Sequence, residues 1–324
     1  MEGGADTGAG GRGGNLPTVA VVMGGTSSER EISIRSGQAV VKALARAGYP
    51  VAEVVINEDS IRRLEGLKFD VVFVALHGAF GEDGRIQELL EARSITYTGS
   101  GPEASRLAMD KIASKDIFRS RGIPTPPDAV LSCGASEKEV KKAARKLGLP
   151  VVIKPACEGS SIGVHIVREA SALADAFADA SALGEKVLME KFVGDREFTV
   201  GVLDDMPLPV IELVTSRQFF DYEAKYEDGY TQYLFDFELP ERERGALQRF
   251  ALEAHRALGC RDFSRVDLRL AAPSDIYVLE VNSIPGLTGH SLVPKAAARA
   301  GIPFAELVVK LVGLALARKR VVKP

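Results

Sequence analysis

The chain has 324 residues, of which 46% are hydrophobic and 26% are charged. This length and composition suit two or three globular units, each with its own core. The 41 Lys and Arg residues nearly balance the 44 Asp and Glu residues, and no basic stripe indicates nucleic-acid binding. Because no run of about 18 apolar residues occurs, we expect no membrane-spanning segment.

The three cysteines, Cys133, Cys157 and Cys260, are far apart, and none lies in C-x-x-C spacing. This pattern predicts neither a disulfide framework nor a zinc site. No matched base accompanies Cys157, so a catalytic thiol is not expected there. The cysteine usage fits a protein of the reducing cytoplasm.

The first part of the chain predicts a tail followed by an α/β unit. Residues 1–16, MEGGADTGAGGRGGNL, are rich in glycine and lack an apolar run, which predicts a flexible tail and not a signal peptide. In residues 17–101, the β-branched runs TVAVVM and VVFVALH flank the helical run SGQAVVKALARAG. Such runs are buried in parallel sheets, so we expect a doubly wound α/β unit here.

Two further units follow a glycine- and proline-rich change in composition. We place the second unit at residues 102–197, where the helical run EKEVKKAARKL alternates with the strands PVVIKP, GVHIV and KVLMEKFV. The third, residues 198–324, contains the strands FTVGVL, FSRVDLRL and IYVLEVN and two closing helices after Pro294. Its basic end, ARKRVVKP, suits a helix C-terminus, where cations are favoured. The fold class is therefore α/β with α+β parts.

Polar side chains alternate along two predicted strands of the third unit. Side chains at i and i+2 share a face of a strand, so Glu280 and Asn282 point together, as do Arg265 and Asp267. If the strands are neighbours, Asp267, Glu280 and Asn282 form a cluster of hard oxygen ligands that suits Mg2+. Ordinary solvent-facing residues of an antiparallel sheet would show the same spacing, so both interpretations stay open.

A glycine/serine loop follows a lysine in VIKPACEGSSIGV. Lys154 ends the predicted strand, and the loop at 159–163 can turn several N–H groups toward an anion. It is not a Walker A loop, because GxxxxGK[ST] is absent and the lysine precedes the loop. A plain hairpin would look the same in isolation. Together with Lys111 in MDK and the acidic cluster, the loop favours a phosphate site.

Eight motifs occur in an order that resembles one known family. They are GGTSSEREIS, ALHGAFGEDG, YTGSG…MDK…SK, VIKPACEGSSIGV, REFTV, DYEAKY, RVDL and LEVNSIPGLTGHSLVP. Each is weak alone, but the set resembles the D-alanine–D-alanine ligases of the ATP-grasp superfamily, and the resemblance spans about residues 17–318. The resemblance implies a three-domain ATP-grasp fold whose N-terminal domain is doubly wound, with ATP held between the second and third domains.

The resemblance also implies a set of residues that bind ATP and its metal ions. Lysines would contact the phosphates, the MEKFV stretch would read the adenine edge, and an acid would hold the ribose. The lysines are Lys111, Lys154 and Lys225. The residues at the adenine edge are Glu190, Lys191 and Val193, and the acid at the ribose is Glu197. Two Mg2+ or Mn2+ ions would be held by Asp267, Glu280 and Asn282.

For the substrates, the resemblance implies that ATP converts one D-alanine to an acyl phosphate, which the amine of a second D-alanine attacks. Arg265 and the Gly286 N–H would stabilise the tetrahedral oxyanion. Glu29 would hold the first substrate's ammonium, in a hydrogen-bonded group with Ser160 and Tyr226. As an alternative, Glu29 could be a first-turn carboxylate that satisfies the helix dipole.

Three more residues complete the implied substrate site. Ser291 and Leu292 would form the pocket for the second substrate's carboxylate. His77 ends a predicted strand where an α/β ligand crevice opens, near the first substrate. A structural role as a cap is the alternative for His77.

Two other functions stay open at this point. One is a ligase that joins D-alanine to D-lactate or D-serine, although Tyr226 keeps a hydroxyl where relatives that use D-lactate commonly have phenylalanine. The other is a degenerate ATP-binding module, which would be expected to lose residues such as Lys154 or Asp267. The expected partners are D-alanine and ATP, with no nucleic acid or membrane, and the resemblance implies a homodimer.

Overall fold

The computed structural model describes residues 16–215, 231–272 and 275–321, without the side chains of Thr215 and of residues 319–321. These ranges contain three sheets with helices packed against them. No single helix within them is long and apolar enough to cross a membrane, and Leu292–Arg299 with Phe304–Arg318 meets that test only as a pair bent by 103°.

The strands and helices are numbered here in chain order. The strands are β1 (Val19–Gly24), β2 (Val51–Ile56), β3 (Val71–Val74), β4 (Asp128–Ser132), β5 (Val151–Pro155), β6 (His165–Val167), β7 (Lys186–Lys191), β8 (Arg196–Leu203), β9 (Met206–Pro207), β10 (Ile211–Thr215), β11 (Thr231–Leu234), β12 (Phe263–Leu270) and β13 (Ile276–Asn282). The helices are α1 (Arg30–Arg46), α2 (Arg85–Ala92), α3 (Pro102–Met109), α4 (Lys111–Ser120), α5 (Glu137–Leu147), α6 (Leu173–Ser181), α7 (Glu241–Ala257), α8 (Leu292–Arg299) and α9 (Phe304–Val321).

The first sheet is parallel and has the order β2-β1-β3. All six residues of β1 are buried, as expected for the central strand of a parallel sheet. Helix α1 packs on β1 and β2 and buries Val40, Ala43 and Leu44. The apolar runs predict β1, α1 and β3, and the structure pairs β1 with β3 in parallel. Strand β2, which lies between α1 and β3 in the chain, was not predicted.

The second sheet is antiparallel and has the order β4-β7-β5-β6. Helices α5 and α6 pack against it, and α5 begins with a capping box formed by Ser136 and Glu139. Such a cap satisfies backbone N–H groups that the first helical turn leaves without partners. The apolar side of α5 covers the sheet with Val140, Ala143 and Ala144, as its spacing predicts.

The third sheet is antiparallel, with the order β11-β10-β8-β12-β13 and β9 paired to β8. Helices α3 and α4 contribute Ala104, Ala108 and Phe118 to the core that this sheet forms with α7. The division of the chain at residues 102 and 198 stays a prediction. The shared core argues for grouping α3 and α4 with the third sheet, although they precede the second sheet in the chain.

Helix α8 begins earlier than the sequence predicts. It starts at Leu292, so Pro294 lies in its first turn and does not precede it. Proline is tolerated in a first turn because the N–H groups there have no intrahelical acceptor.

A buried carboxylate joins the end of the first α/β unit to the third sheet. Asp262, with a left-handed φ of 62°, accepts a hydrogen bond of 2.7 Å from the Gly99 N–H and pairs with Arg318 of α9. Arg318 also donates to the Tyr97 carbonyl over 2.7 Å. The basic end of the chain, expected only to suit a helix C-terminus, therefore contributes to this junction.

Removing the Asp262 carboxylate should destabilise the fold. Asp262→Ala leaves a buried N–H and the Arg318 guanidinium without their acceptor, and we expect a loss of about 3 kcal/mol in the free energy of unfolding. The matched control is Asp205→Ala, since Asp205 also has a left-handed φ, of 61°. Its pair with Arg256 is exposed on both sides, so the loss should stay below about 1 kcal/mol. Urea denaturation measures both, and equal losses would contradict the role of the junction.

Candidate active site

Two pockets meet at the Gly159 backbone, and all the predicted site residues that the structure describes line one of them. The larger pocket, of about 450 Å³, contains Glu29, His77, Ser160, Arg265, Asn282, Gly286, Ser291 and Leu292. The smaller pocket, of about 110 Å³, contains Lys111, Lys154, Glu190, Lys191, Val193, Glu197, Asp267 and Glu280. Lys225 and Tyr226, which were also predicted, lie outside the described residues.

Strands β12 and β13 are neighbours, as the argument from alternation required. Their register places Arg265 opposite Asn282 and Asp267 opposite Glu280, so all four side chains share one face. Asp267 is buried, and its two oxygens accept hydrogen bonds of 2.9 and 2.8 Å from Arg265. The Thr199 hydroxyl donates to the same carboxylate over 2.7 Å. The alternative of a solvent-facing residue is therefore wrong for Asp267.

The oxygen donors on this face suit a hard divalent cation that also binds phosphate. Asp267 and Glu280 supply carboxylates, and Asn282 supplies an amide. Among the described residues, no group of three or more His, Cys, Asp or Glu side chains could hold a metal by itself. Because Mg2+ in nucleotide sites takes one or two carboxylates and fills its other positions with phosphate and water, the donor set fits that ion.

A buried group of lysines surrounds one carboxylate in the smaller pocket. Glu190 on β7 accepts from Lys154 of β5 over 2.6 Å and from Lys115 of α4 over 2.5 Å. Burial by itself raises the pKa of Glu190, but the two ammonium groups hold it below its ordinary value. Burial also lowers the pKa of Lys115.

Lys115 was not predicted as a site residue, although the spacing of MDKIASK contains a signal for it. Lys111 and Lys115 lie four apart in α4, and residues at that spacing share a helix face. Lys111 donates to the Glu158 carbonyl over 2.6 Å and lies 3.5 Å from Glu280. One helix face therefore places the Lys111 ammonium in the smaller pocket and the Lys115 ammonium behind it.

Arg269 is a second residue that the sequence argument missed. It lies two positions after Asp267 on the same face of β12, and the register places it opposite Glu197 on β8. The guanidinium donates to Glu197 over 2.6 Å and lies 4.8 Å from the Phe192 ring centre. Continuing the i, i+2 pattern of SRVDLRL by one step would have identified it.

Glu29 anchors one wall of the larger pocket. It precedes α1 but makes no capping hydrogen bond to that helix, and its buried carboxylate accepts from the Ser160 hydroxyl. Ser160 has a left-handed φ of 49°, a conformation that costs energy in a residue other than glycine. At Gly78, where φ is 72°, a Cβ would lie 2.8 Å from the Glu29 carboxylate, so glycine allows this close approach.

His77 connects the first sheet to the turn after β13. Strand β3 ends at Val74, so His77 lies three residues beyond the strand and not at its end. Its Nε2 is 3.1 Å from the Ser36 hydroxyl, which in turn accepts from the Leu287 N–H over 3.3 Å. Burial lowers the pKa of His77, which favours the neutral imidazole in this position.

Glu82 is a third residue that the sequence argument missed, although it lies in the quoted motif ALHGAFGEDG. Its carboxyl accepts from the Gly78 N–H over 2.6 Å and lines the larger pocket with Glu29. Burial, and then the charge of Glu29, raise the pKa of Glu82 to about 8. The pocket therefore pairs one carboxylate that accepts from a hydroxyl with a second carboxyl whose pKa is raised.

The opposite wall is the turn between β13 and α8. Ser291 precedes α8, and its hydroxyl accepts from the Thr288 N–H over 3.0 Å. A Cβ on Gly286 would lie 2.9 Å from the Ser291 hydroxyl oxygen. Leu292 is buried beside them. Glycine at 286 therefore lets the backbone and the serine hydroxyl approach each other at the pocket wall.

The chain is similar over most of its length to one group of known proteins. Residues 117–313 match the family model described as "D-ala D-ala ligase C-terminus", and residues 60–100 match "D-ala D-ala ligase N-terminus". The D-alanine–D-alanine ligase of Syntrophotalea carbinolica is 46% identical over 301 residues, which cover 93% of this chain and 97% of the relative. That of Desulforudis audaxviator is 45% identical over 304 residues, covering 93% and 99%.

Solved structures show the same similarity. A crystal structure of the D-alanine–D-alanine ligase from Bacillus anthracis has a TM-score of 0.82 and 33% identity, covering 94% of this chain and 99% of that one. A structure of the Bacillus anthracis ligase complexed with ATP has the same TM-score at 34% identity, covering 95% and 99%.

The raised pKa of Glu82 predicts a pH-dependent difference in stability. A carboxyl whose pKa rises on folding binds its proton more tightly in the folded chain, so the wild type loses stability as pH rises from the ordinary value of 4.5 to about 8. Glutamine does not titrate. The free energy of unfolding of Glu82→Gln should therefore increase, relative to the wild type, across that interval. Urea denaturation at several pH values measures this, and a constant difference would contradict it.

Proposed function

The chain belongs to the D-alanine–D-alanine ligase family, and we propose from the contacts in its two pockets how its residues divide the work of that reaction. It is an ADP-forming ligase with the ATP-grasp fold, and it joins two D-alanine molecules through a D-alanyl phosphate. The dipeptide is used in peptidoglycan precursor synthesis, the role of this family in cell wall formation.

One observation carries the assignment of roles: the two pockets share the Gly159 loop, and the polar face of β12 and β13 lines both. The smaller pocket has lysines and acceptors for a nucleotide. The larger one has carboxyl groups and donors for amino acids. ATP in the smaller pocket would therefore present its terminal phosphate at the boundary, where the first substrate's carboxylate can attack it.

The nucleotide roles follow from the charges of the smaller pocket. Lys111 and Lys154 would bind the phosphates, because both ammonium groups line the pocket. Glu190, with the backbone of Lys191 and Val193, would read the adenine edge. Glu197, held by Arg269, would accept from the ribose hydroxyls.

Two Mg2+ or Mn2+ ions would be held by Asp267, Glu280 and Asn282, which supply hard oxygen donors beside the phosphate lysines. When bound, such ions neutralise charge on the transferring phosphoryl group. The chain prepares the donors by fixing Asp267 with Arg265 and Thr199, so little reorganisation is needed on binding.

The first D-alanine would bind in the larger pocket with its ammonium at Glu29. The carboxylate of Glu29 is buried and fixed by Ser160, which suits a single cationic group. His77, neutral and held by Ser36, would line the same site. The substrate carboxylate then displaces ADP from the γ-phosphate of ATP and becomes an acyl phosphate.

The second D-alanine would bind at the turn after β13, with its carboxylate near Ser291 and Leu292. Its ammonium must lose a proton before the amine attacks the acyl phosphate carbonyl. The oxyanion that forms would be stabilised by the Gly286 N–H and by Arg265, whose orientation is set by both oxygens of Asp267. Phosphate then leaves and the dipeptide remains.

The D-lactate and D-serine alternatives are not favoured, because the curated relatives with 44–46% identity are named D-alanine–D-alanine ligases. Tyr226, on which our argument for an amino-acid acceptor rests, lies outside the described residues. We also propose a cytoplasmic homodimer, from the family resemblance and the free cysteines. Light scattering during size exclusion would test the dimer.

Product analysis tests the acceptor directly. With ATP and Mg2+, phosphate should be released only when D-alanine is added, and mass spectrometry should identify D-alanyl-D-alanine. With equal D-alanine and D-lactate at neutral pH, the dipeptide should dominate, and Tyr226→Phe should increase the share of depsipeptide because the hydrogen-bonded network loses a hydroxyl. Depsipeptide as the main wild-type product would refute the acceptor assignment.

Glu280→Gln should weaken metal-dependent turnover severely. Losing a charged hard ligand leaves the transferring phosphoryl group poorly compensated, so kcat should fall about 100-fold or more. The Mg2+ concentration needed for half-maximal rate should rise as well. Glu212→Gln is the control, since Glu212 is a buried carboxylate of the same sheet that pairs with Arg196 outside both pockets. Near-normal turnover of Glu280→Gln would contradict the assignment of Glu280 as a metal ligand.

A further inference from the structure

Lys115 is a fully buried ammonium that lies behind the smaller pocket and does not line it. Its Nζ donates to the Thr125 hydroxyl over 3.0 Å, to the Pro126 carbonyl over 2.8 Å and to Glu190 over 2.5 Å. An ammonium has three N–H donors. Protein acceptors therefore use all three, and Lys115 has no donor left for a nucleotide.

Glu190 has two lysine partners, and they differ in whether they line the pocket. Lys154 lines the pocket beside Glu280 as well as Glu190, and in the proposed function it also serves the phosphates. Lys115 is enclosed by α4, the linker to β4 and strand β7. Asp128 lies 3.5 Å from the Lys115 ammonium, but the shorter contact, of 2.5 Å, is with Glu190. Lys115 therefore keeps Glu190 paired whichever way the Lys154 ammonium turns.

An ionised carboxylate at the base edge differs from a neutral one in what it can recognise. The ionised form only accepts hydrogen bonds, whereas the protonated form also donates. A 6-amino purine presents donors at that edge, and a 6-oxo purine presents an acceptor oxygen. A carboxylate that stays ionised and in one orientation therefore favours the amino purine and leaves the oxo purine with a repulsive contact.

We propose that Lys115 is a positioning residue that gives the base subsite its preference for 6-amino over 6-oxo purine nucleotides, by holding the Glu190 carboxylate ionised and in one orientation. The inference rests on the proposed role of Glu190 in reading the base edge.

The linker contacts extend the same function to the backbone that lines the subsite. Lys115 holds Thr125 and Pro126, and the next residue, Pro127, accepts from the Lys191 N–H over 2.8 Å. Lys191 directly follows Glu190 at the end of β7. One ammonium therefore orders both the carboxylate and the chain segment beside it, and these two elements come from different parts of the sequence.

Three nucleotides separate the base-edge effect from a general loss of function. We would measure kcat/KM with ATP, with inosine triphosphate, which has a 6-oxo group, and with purine riboside triphosphate, which has no 6-substituent. Lys115→Met should reduce the ratio of kcat/KM for ATP to kcat/KM for inosine triphosphate at least about tenfold. The value for purine riboside triphosphate and the KM for D-alanine should change less than about threefold, because neither depends on that hydrogen bond.

The control is Lys142→Met, which makes the same substitution at an exposed position of α5 and should leave all three nucleotide values unchanged. If the methionine variant at 115 does not fold, Lys115→Gln, which keeps an N–H donor without the charge, replaces it. The proposal would be overturned if a folded variant with an uncharged side chain at position 115 kept the wild-type ratio of kcat/KM for ATP to kcat/KM for inosine triphosphate.

Glu190→Gln distinguishes failure of this inference from failure of the function it rests on. A changed ratio in Glu190→Gln with a wild-type ratio in Lys115→Met would overturn the role of Lys115 and leave Glu190 as the base reader. An unchanged ratio in Glu190→Gln would show that Glu190 does not read the base edge, and both assignments would then fail.

Discussion

The antiparallel pairing of β12 and β13 is the constraint on which both pockets depend. Its register places Asp267 opposite Glu280 and Arg265 opposite Asn282, and every other site residue is arranged around that polar face. A slip of β13 by one residue would turn Glu280 and Asn282 into the core and away from Arg265 and Asp267. The opposite face holds the register, because Val266, Leu268, Val278 and Val281 are buried in the core beneath the sheet. Apolar packing on one side therefore positions the charges on the other.

Charge neutralisation inside the protein is the second requirement, since buried ions are costly without partners. The smaller pocket meets it with alternating charges: Lys115 and Lys154 flank Glu190, and Arg269 binds Glu197. The larger pocket meets it differently. There Glu29 is stabilised by a hydroxyl, and burial beside it raises the pKa of Glu82. The smaller pocket therefore compensates its buried charges with ion pairs, whereas the larger pocket places a hydroxyl beside its buried carboxylate.

Residues that line neither pocket connect the parts of the chain from which the pockets are built. Ser36 links His77 of the first unit to the backbone of the turn after β13, and Asp262 links Gly99 to α9. These contacts tie the first sheet to the third at two places. The larger pocket is built from both sheets, so its shape depends on junctions that lie outside it.

The sequence by itself determined the α/β class, the apolar strands and helix faces, and the motif order that identifies the family, because these are local patterns of burial and spacing. It also indicated which side chains share a strand face, such as Arg265 with Asp267. Only the tertiary structure decided which strands are neighbours, that α3 and α4 share the core of the third sheet, and that Lys115, Arg269 and Glu82 take part in the site. The strand neighbours, the shared core and the contacts of Lys115 and Arg269 depend on segments distant in the chain, and hydrophobic periodicity carries no information about such contacts. For Lys115, burial with three protein acceptors distinguishes a positioning ammonium from an ordinary surface lysine, and burial is a property of the assembled fold.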